Sequence, residues 1–376
     1  YFGSVNHRYL PLDAIDTYLS SVNKPFCLFV TSDYPHGPYP KDGNYTKNDI
    51  YPLPYSGSNV PNYKPGYYQN IKEDNSQVNK ILNIVDRYDL KNNSLFIYAA
   101  DHGISGKWGL SEQGLKAPFI VRWPEKIKAN IQSDVVLSFV DVVPTFLDII
   151  GAQISDDIDG SSFYETLLGD EKEIHEYIYG LSTMQNIQKC KVFPSRMIRE
   201  KQYKYIKNFN PNISNALPVS YRQQMPMMQL MDSLWKEKAL TKNVAAWFET
   251  PKPLEELYDI EQDPFELINL ADQALHQDTL RFLRQSLETW MLETQDLGAV
   301  PEKELLKQWF PNGKIPVLAP LKIAEKEGQL TLSHPQKDVT IVWKSPEAKA
   351  WKVYGQPLAA DLQFTAKAVR IGYEDS

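Results

Sequence analysis

The sequence is poor in cysteine, in long apolar runs and in positive charge, and each shortage removes a class of protein. Only Cys27 and Cys190 are present, far apart and without a CxxC pair. Neither a zinc ribbon nor a disulfide framework is indicated, although a single bridge stays open. The longest apolar candidate, DVVLSFVDVVPTFLDIIG, is broken by Asp141, Pro144 and Asp148, so nothing reaches the roughly 20 residues of a membrane-spanning helix. A net charge of −7 lacks the basic excess with which a general nucleic-acid surface displaces counterions. Locally, REKQYKYIKNF (Arg199 to Phe209) is the densest basic stretch, and its alternation predicts one solvated strand face. The opening YFGSVNHRYLPLD has neither a charged n-region nor an apolar core, so it is no signal peptide. It also lacks an initiator Met, which predicts that something upstream has been removed. No internal repeat or low-complexity tract occurs.

What is present describes an ordinary globular chain, 376 residues long and 42% hydrophobic, enough for two or three domains with cores of their own. The first part alternates strand-like and helical runs, the mark of an α/β layer fold. PFCLFVTS (Pro25 to Ser32) predicts a buried strand, and SQVNKILNIVDRYDL places Val78, Ile81, Leu82, Ile84 and Val85 at helical spacing. SLFIYAA and APFIVRW predict strands; VDVVPTFLDIIG predicts a helix closed by Gly151. Beyond about Asp170 come strands such as MIREKQYKYIKNF and EELYDI with one long helix, HQDTLRFLRQSLETWMLET. The end of the chain reads as short alternating runs, GQLTLS, VTIVWKS, AWKVYG and LQFTAKAVRIGY, between Pro and Gly turns. The expected fold class is α/β: a mixed central sheet flanked by helices, then a smaller α+β domain and an all-β module. Boundaries fall at 1–168, 169–300 and 305–376.

Chemistry concentrates where apolar runs end. Asp101 and His102 follow SLFIYAA, and Gly103 lets the backbone turn sharply. A carboxylate beside an imidazole at a strand end offers oxygen and nitrogen donors to a cation. The same Asp-His-Gly serves equally well as a turn whose carboxylate caps the next segment. Lys107 lies in GKWGLSEQG, a stretch that reads as neither helix nor strand. His36 follows Pro25 to Ser32 in a loop stiffened by Pro35, Pro38 and Pro40, as a positioned acid or anion contact requires. Taken singly, a loop lysine or histidine is most often solvated.

SLFIYAADHG, GKWGLSEQGLKAPFIVRWPEKIKA, SFVDVVPTFLDIIG with DIDG, and LEELYDIEQDPFELINLA occur in an order that resembles the type I sulfatases of the alkaline phosphatase superfamily. The resemblance covers roughly the first 295 residues. FPSRMIREKQYKYIKNFNP and RFLRQSLETWMLETQD resemble the heparan N-sulfatase (sulfamidase) branch more particularly. It implies one calcium ion (Ca2+) held partly by Asp101 and His102, a sulfate contact from Lys107, and a sulfate contact or leaving-group proton from His36. A periplasmic or secreted location is implied too. Lys116 stands where the family often has arginine in its EGxR segment, which weakens any fork-like contact there.

The family acts through a formylglycine made from Cys or Ser in CxPxR or SxPxR, and neither pattern occurs in this chain. CKVFPSR (Cys190 to Arg196) has three residues between Cys and Pro and matches the family's ordinary FPxR stretch, so Cys190 is not the expected nucleophile. The expectation is the C-terminal part of a calcium-dependent sulfatase. Its substrate would be a sulfate ester or N-sulfate of a sulfated sugar or glycosaminoglycan. The nucleophile would lie on an N-terminal portion, and the chain alone would not turn over. Two other readings stand beside it. A phosphodiesterase or phosphonate monoester hydrolase of the same superfamily would need more histidine ligands, for which only His175, His276 and His334 come later. A non-catalytic protein that binds anionic glycans would need no nucleophile. The terminal module resembles the small β-sandwiches appended to bacterial carbohydrate-active enzymes, and it reads equally as a structural cap or a glycan-binding unit.

Overall fold

The computed structural model describes residues 8–40, 44–46, 49, 65–103, 109–182, 194–216, 223–224, 226–298 and 300–375. The chain divides into two compact units, Tyr1–Gln295 and Asp296–Ser376.

In the first unit, helix α1 (Leu12–Ser21) buries Ile15 and Leu19 against Ile81, Ile84 and Val85 of helix α2 (Pro65–Arg87). Helix α2 starts well before the apolar spacing that predicts it. Its early buried positions are Asn70, Asp74 and Gln77, which share the inward face at helical spacing but carry polar side chains. Strands β1 (Phe96–Ala99) and β2 (Phe119–Arg122) pair antiparallel as a two-stranded sheet. Between them, Glu112–Leu115 forms one helical turn, α3, whose N-cap Ser111 accepts from the Gly114 N–H at 3.2 Å. This turn corrects the expectation that Gly106 to Gly114 lacks helix. Helix α4 (Val142–Ile149) ends as expected at Gly151, which has φ +68°.

Pro25–Ser32 is not a strand: it has no regular structure, and Phe29 is 81% exposed. An apolar run becomes a buried strand only when a neighbour satisfies its backbone groups and another layer covers it. Among the described residues nothing pairs with it. Ile120 on β2 and Val143 at the start of α4 are exposed as well.

The second half of this unit is a four-stranded antiparallel sheet, β3 (Ile178–Ser182), β4 (Ser195–Arg199), β5 (Tyr203–Asn208) and β6 (Glu255–Asp259), in that order. Tyr179, Ile198, Tyr205 and Leu257 are cross-strand neighbours in one row. That row packs on Leu280, Leu283 and Leu287 of a long helix, α5 (Gln277–Glu293), with Tyr179 stacked on Trp290 at 4.4 Å. Burying each such leucine stabilises the fold by roughly 1.5–3 kcal/mol. The opposite face carries Met197 and Ile206, which cluster with Leu110 from the segment before α3. Both faces of the sheet are therefore covered, which overturns the solvated-face reading of Arg199 to Phe209. Lys204 has no exposed surface at all.

The second unit begins with helix α6 (Glu302–Trp309), followed by two three-stranded antiparallel sheets. One joins β7 (Lys322–Lys326), β8 (Gln329–Ser333) and β11 (Leu358–Ala359); the other joins β9 (Thr340–Lys344), β10 (Lys352–Val353) and β12 (Thr365–Val369). Leu332 and Leu358 from the first sheet and Ala368 from the second are buried. Tyr354 ties the sheets together: its hydroxyl accepts from the Leu332 N–H at 3.1 Å, while its own N–H donates to the Ile341 carbonyl at 2.9 Å.

Candidate functional site

Strand β1 delivers Asp101 and His102 to a turn that glycine alone can make. The Gly103 N–H donates to the Gly114 carbonyl at 2.8 Å, so the turn closes against α3. A Cβ at Gly103 would stand 2.4 Å from the Gln113 carbonyl oxygen and 2.9 Å from that of Lys116. Beside this packed turn the Asp101 side chain is 69% exposed and His102 is 33% exposed, with His102 Nε2 3.6 Å from Asp101 Oδ1. His102 Nδ1 lies 2.6 Å from the Gly103 carbonyl oxygen. Only an N–H can make that contact, so in the neutral ring the Nε2 lone pair is left for a cation or a proton.

His36 is exposed in its loop, with Nδ1 2.9 Å from the Gly37 carbonyl oxygen. The backbone around it is clamped. Asn70 on α2 donates to the His36 carbonyl at 2.9 Å, and Arg8 donates to the carbonyls of His36 at 2.9 Å and Pro38 at 3.0 Å. One turn further along α2, the buried Asp74 accepts from Ser32 Oγ at 2.6 Å and from the Tyr98 hydroxyl at 2.7 Å. Burial, followed by the bond to Asp74, pushes the Tyr98 hydroxyl pKa up, so it stays a donor. Asp74 thus anchors both the segment leading to His36 and the strand leading to Asp101 and His102. The sequence gives a faint sign of Asn70 and Asp74, polar residues on the face that turns apolar one turn later, and none of Arg8.

Helix α3 is fastened to the four-stranded sheet by buried charge. Lys204 Nζ lies 2.7 Å from Glu266 and 3.3 Å from Glu112; Arg199 Nε lies 3.2 Å from Glu112. Glu266 also accepts from the Glu112 backbone N–H at 2.7 Å. Burial pushes the Glu266 carboxyl above its ordinary value, and Lys204 pulls it partly back.

Asp141, in SFVDVVPTFLDIIG, is a clamp. Its fully buried carboxylate accepts from the N–H groups of Ser138 at 2.7 Å and Ser161 at 2.9 Å, and bonds His175 Nε2 at 2.8 Å. That gives His175 the setting that its sequence neighbours do not reveal. Gly160 lies so close that a Cβ would stand 2.1 Å from the Val140 carbonyl oxygen, which explains the glycine of DIDG.

Of the expected site residues, Asp101 and His102 are adjacent on one turn, and His36 is linked to them through Asp74. Lys107 and Cys190 lie outside the described residues. Among the described residues no three His, Cys, Asp or Glu side chains gather as a metal cage. Asp101 and His102 bring two donors, where calcium takes six to eight, so they do not make a calcium site by themselves. No helix among the described residues is long and apolar enough to cross a membrane.

The sulfatase family profile matches residues 10–152, a span that contains His36, Asp101, His102 and Lys107. The profile for the C-terminal region of N-sulphoglucosamine sulphohydrolase matches residues 100–241. An ulvan-active sulfatase of Formosa agariphila is 39% identical over 304 residues, covering 78% of this chain and 57% of the relative. A second ulvan-active sulfatase of that organism is 29% identical over 369 residues, 95% of this chain and 59% of the relative. The chain therefore spans under two thirds of the length of these curated relatives. In fold it is similar to a solved sulfatase candidate of Bacteroides fragilis, with a TM-score of 0.53 at 19% identity over 77% of this chain and 58% of that one. A Bacteroides thetaiotaomicron structure from glycosaminoglycan metabolism gives a TM-score of 0.54 at 20% identity over 80% and 61%. The motif order, both profile matches and the 39% relative agree, and together they support a type I sulfatase.

Proposed function

We propose that this chain is part of a sulfatase that removes sulfate esters from a sulfated polysaccharide. The observation that carries the reading is the 39% identity to an ulvan-active sulfatase. The profile for N-sulphoglucosamine sulphohydrolase keeps an N-sulfate as the second bond to test.

In this reading Asp101 and His102 give a cation two of its donors, and further residues supply the rest. Calcium is the ion the family implies, and it would polarise the sulfate oxygens. Lys107 offsets the negative charge that the transition state spreads over those oxygens. His36 holds its Nδ1 proton on a backbone carbonyl, so a second proton goes to Nε2, from where it can pass to the leaving oxygen. The formylglycine nucleophile has no CxPxR or SxPxR source among these residues, so the chain by itself does not turn over. The exposed apolar side chains of Phe29, Ile120 and Val143 support the same view, being surface that a larger α/β domain would cover. A location outside the cytoplasm goes with polysaccharide as substrate.

The test joins this chain to upstream sequence carrying CxPxR or SxPxR and measures sulfate released from ulvan oligosaccharides and from N-sulfoglucosamine. Release from the oligosaccharides by the assembled protein, and none by the chain alone, is expected. Hydrolysis of a phosphonate monoester without sulfate release, or full sulfatase activity of the chain alone, would overturn the reading.

A further inference from the structure

We propose that the outer face of the β10-β9-β12 sheet in the second unit binds a strand of acidic polysaccharide, with Trp351 as the platform and Lys344 and Lys367 as the anion contacts. This rests on the reading that the substrate is a sulfated polysaccharide.

The face is defined by register. Val342 is paired with both Val353 and Lys367, so these three side chains project to the same side, with Lys344 two residues along β9. The other side carries Ile341 and Trp343, paired with Ala368 and Ala366, and Ala368 is completely buried. The Val342 side is therefore the solvent side, and Val353 is 71% exposed there.

Trp351, two residues before Val353, lies on this side. The amines of Lys344 and Lys367 stand over its ring, 5.0 Å and 4.9 Å from the centroid, so two cations share one indole. Such contacts hold the ring in place while the residue remains 38% exposed. Asp375 pairs with the Lys367 amine and fixes it. Lys344 has no carboxylate partner among the described residues, so its charge faces outward uncompensated.

The ring and both amines are on the side away from the buried layer, where a ligand can reach them. A sugar ring presents a flat C–H face that an indole can stack on, and its sulfate or carboxylate groups project from the ring edge, within reach of nearby amines. An acidic glycan would engage the Lys344 charge as well as the ring, whereas an uncharged one would use the ring alone. Concentrating a chain carrying −7 on a polyanion also calls for such a local positive site, since its overall field repels the ligand.

The experiment measures binding of the purified full chain to ulvan, before and after chemical desulfation, by affinity electrophoresis and titration calorimetry. A single-stranded oligonucleotide serves as a polyanion control. Wild type is expected to be retarded by ulvan, less by desulfated ulvan, and not by the oligonucleotide. Trp351→Ala should weaken binding at least tenfold and Lys344→Gln about threefold, with unchanged melting. Lys322→Gln with Lys326→Gln, on the other sheet, should bind as wild type. Absence of retardation, equal retention of Trp351→Ala, an equal loss in the β7 double variant, or equal binding of the oligonucleotide would each overturn the proposal. If Trp351→Ala melts early, Lys344→Gln decides alone. Sulfate release from ulvan oligosaccharides by the assembled enzyme separates the two readings. Trp351-dependent binding without release sinks the catalytic reading only; release without Trp351-dependent binding sinks this one only.

Discussion

Replacing Lys204 with methionine tests whether buried charge fastens helix α3 to the four-stranded sheet. Lys204 is fully buried between Glu266 at 2.7 Å and Glu112 at 3.3 Å, so the variant leaves two buried carboxylates with one remaining cation, Arg199. Breaking a buried pair from one side costs about 3–5 kcal/mol, because the surviving charge keeps its desolvation penalty. The loss should depend on pH, and its sign follows from Glu266. Burial raises that carboxyl above its ordinary value of 4.5, and Lys204 is the main influence lowering it. Without Lys204 its folded pKa rises further. A raised carboxyl contributes stability that is fully present below the unfolded pKa and is lost as pH rises through the folded pKa, at about 1.4 kcal/mol per pH unit. The variant should therefore be closer to wild type at pH 5 than at pH 7, with the full 3–5 kcal/mol loss approached at neutral pH. Urea unfolding, followed by the near-ultraviolet circular dichroism of the stacked Tyr179 and Trp290, reads this unit directly. Adding Glu266→Gln should restore more than half of the loss at pH 7. A loss below about 1 kcal/mol, or one equal at both pH values, would refute the reasoning.

Gly103→Ala should lower the melting temperature and loosen amide-exchange protection around Gly114, since overpacking against backbone oxygens costs about 1–3 kcal/mol; an unchanged melt would show that the turn is not tight. In the assembled enzyme, Asp101→Ala should reduce bound calcium as well as sulfate release, and full calcium content with the variant would count against Asp101 as a ligand. Burial pushes the Lys252 amine down from 10.5 to about 8. A depressed amine contributes stability that is present above the unfolded pKa and is lost as pH falls through the folded one, so stability should climb between pH 8 and 10. Lys252→Met should flatten that climb, and an equal slope in both proteins would place Lys252 in solvent.

Much of the fold was legible because periodicity reports one-sided burial. Helices α2, α4 and α5, strands β1, β2, β5 and β6, and the all-β character of the last strands follow from apolar spacing and from turns at Gly and Pro. Legibility failed wherever burial was not one-sided or not apolar. Strand β7 is exposed along its whole length and carries no alternation. The polar half of α2 hides behind Asn70, Asp74 and Gln77. The basic stretch around Lys204 resembled a wet face because the carboxylates that neutralise it are 92 residues upstream, at Glu112, and 62 downstream, at Glu266.

The candidate site divides in the same way. Asp101, His102, Gly103, His36 and Lys107 could be picked out from the sequence alone, because a polar cluster at the end of an apolar run is a local signal and the motif order carried the family. What only the tertiary structure decided is how the described ones, Asp101, His102, Gly103 and His36, are held. Asp74 joins two loops from the middle of a helix, Glu112 is pinned by a sheet from later in the chain, and Asp141 clamps His175. Pro25–Ser32 shows the converse: its composition is that of a buried strand, and it remains on the surface where no neighbour among the described residues pairs with it. Local sequence sets which side chains are available and which backbone turns are allowed. Hydrogen bonds and ion pairs between distant segments depend on where the packed fold puts both partners, and spacing along the chain does not encode that.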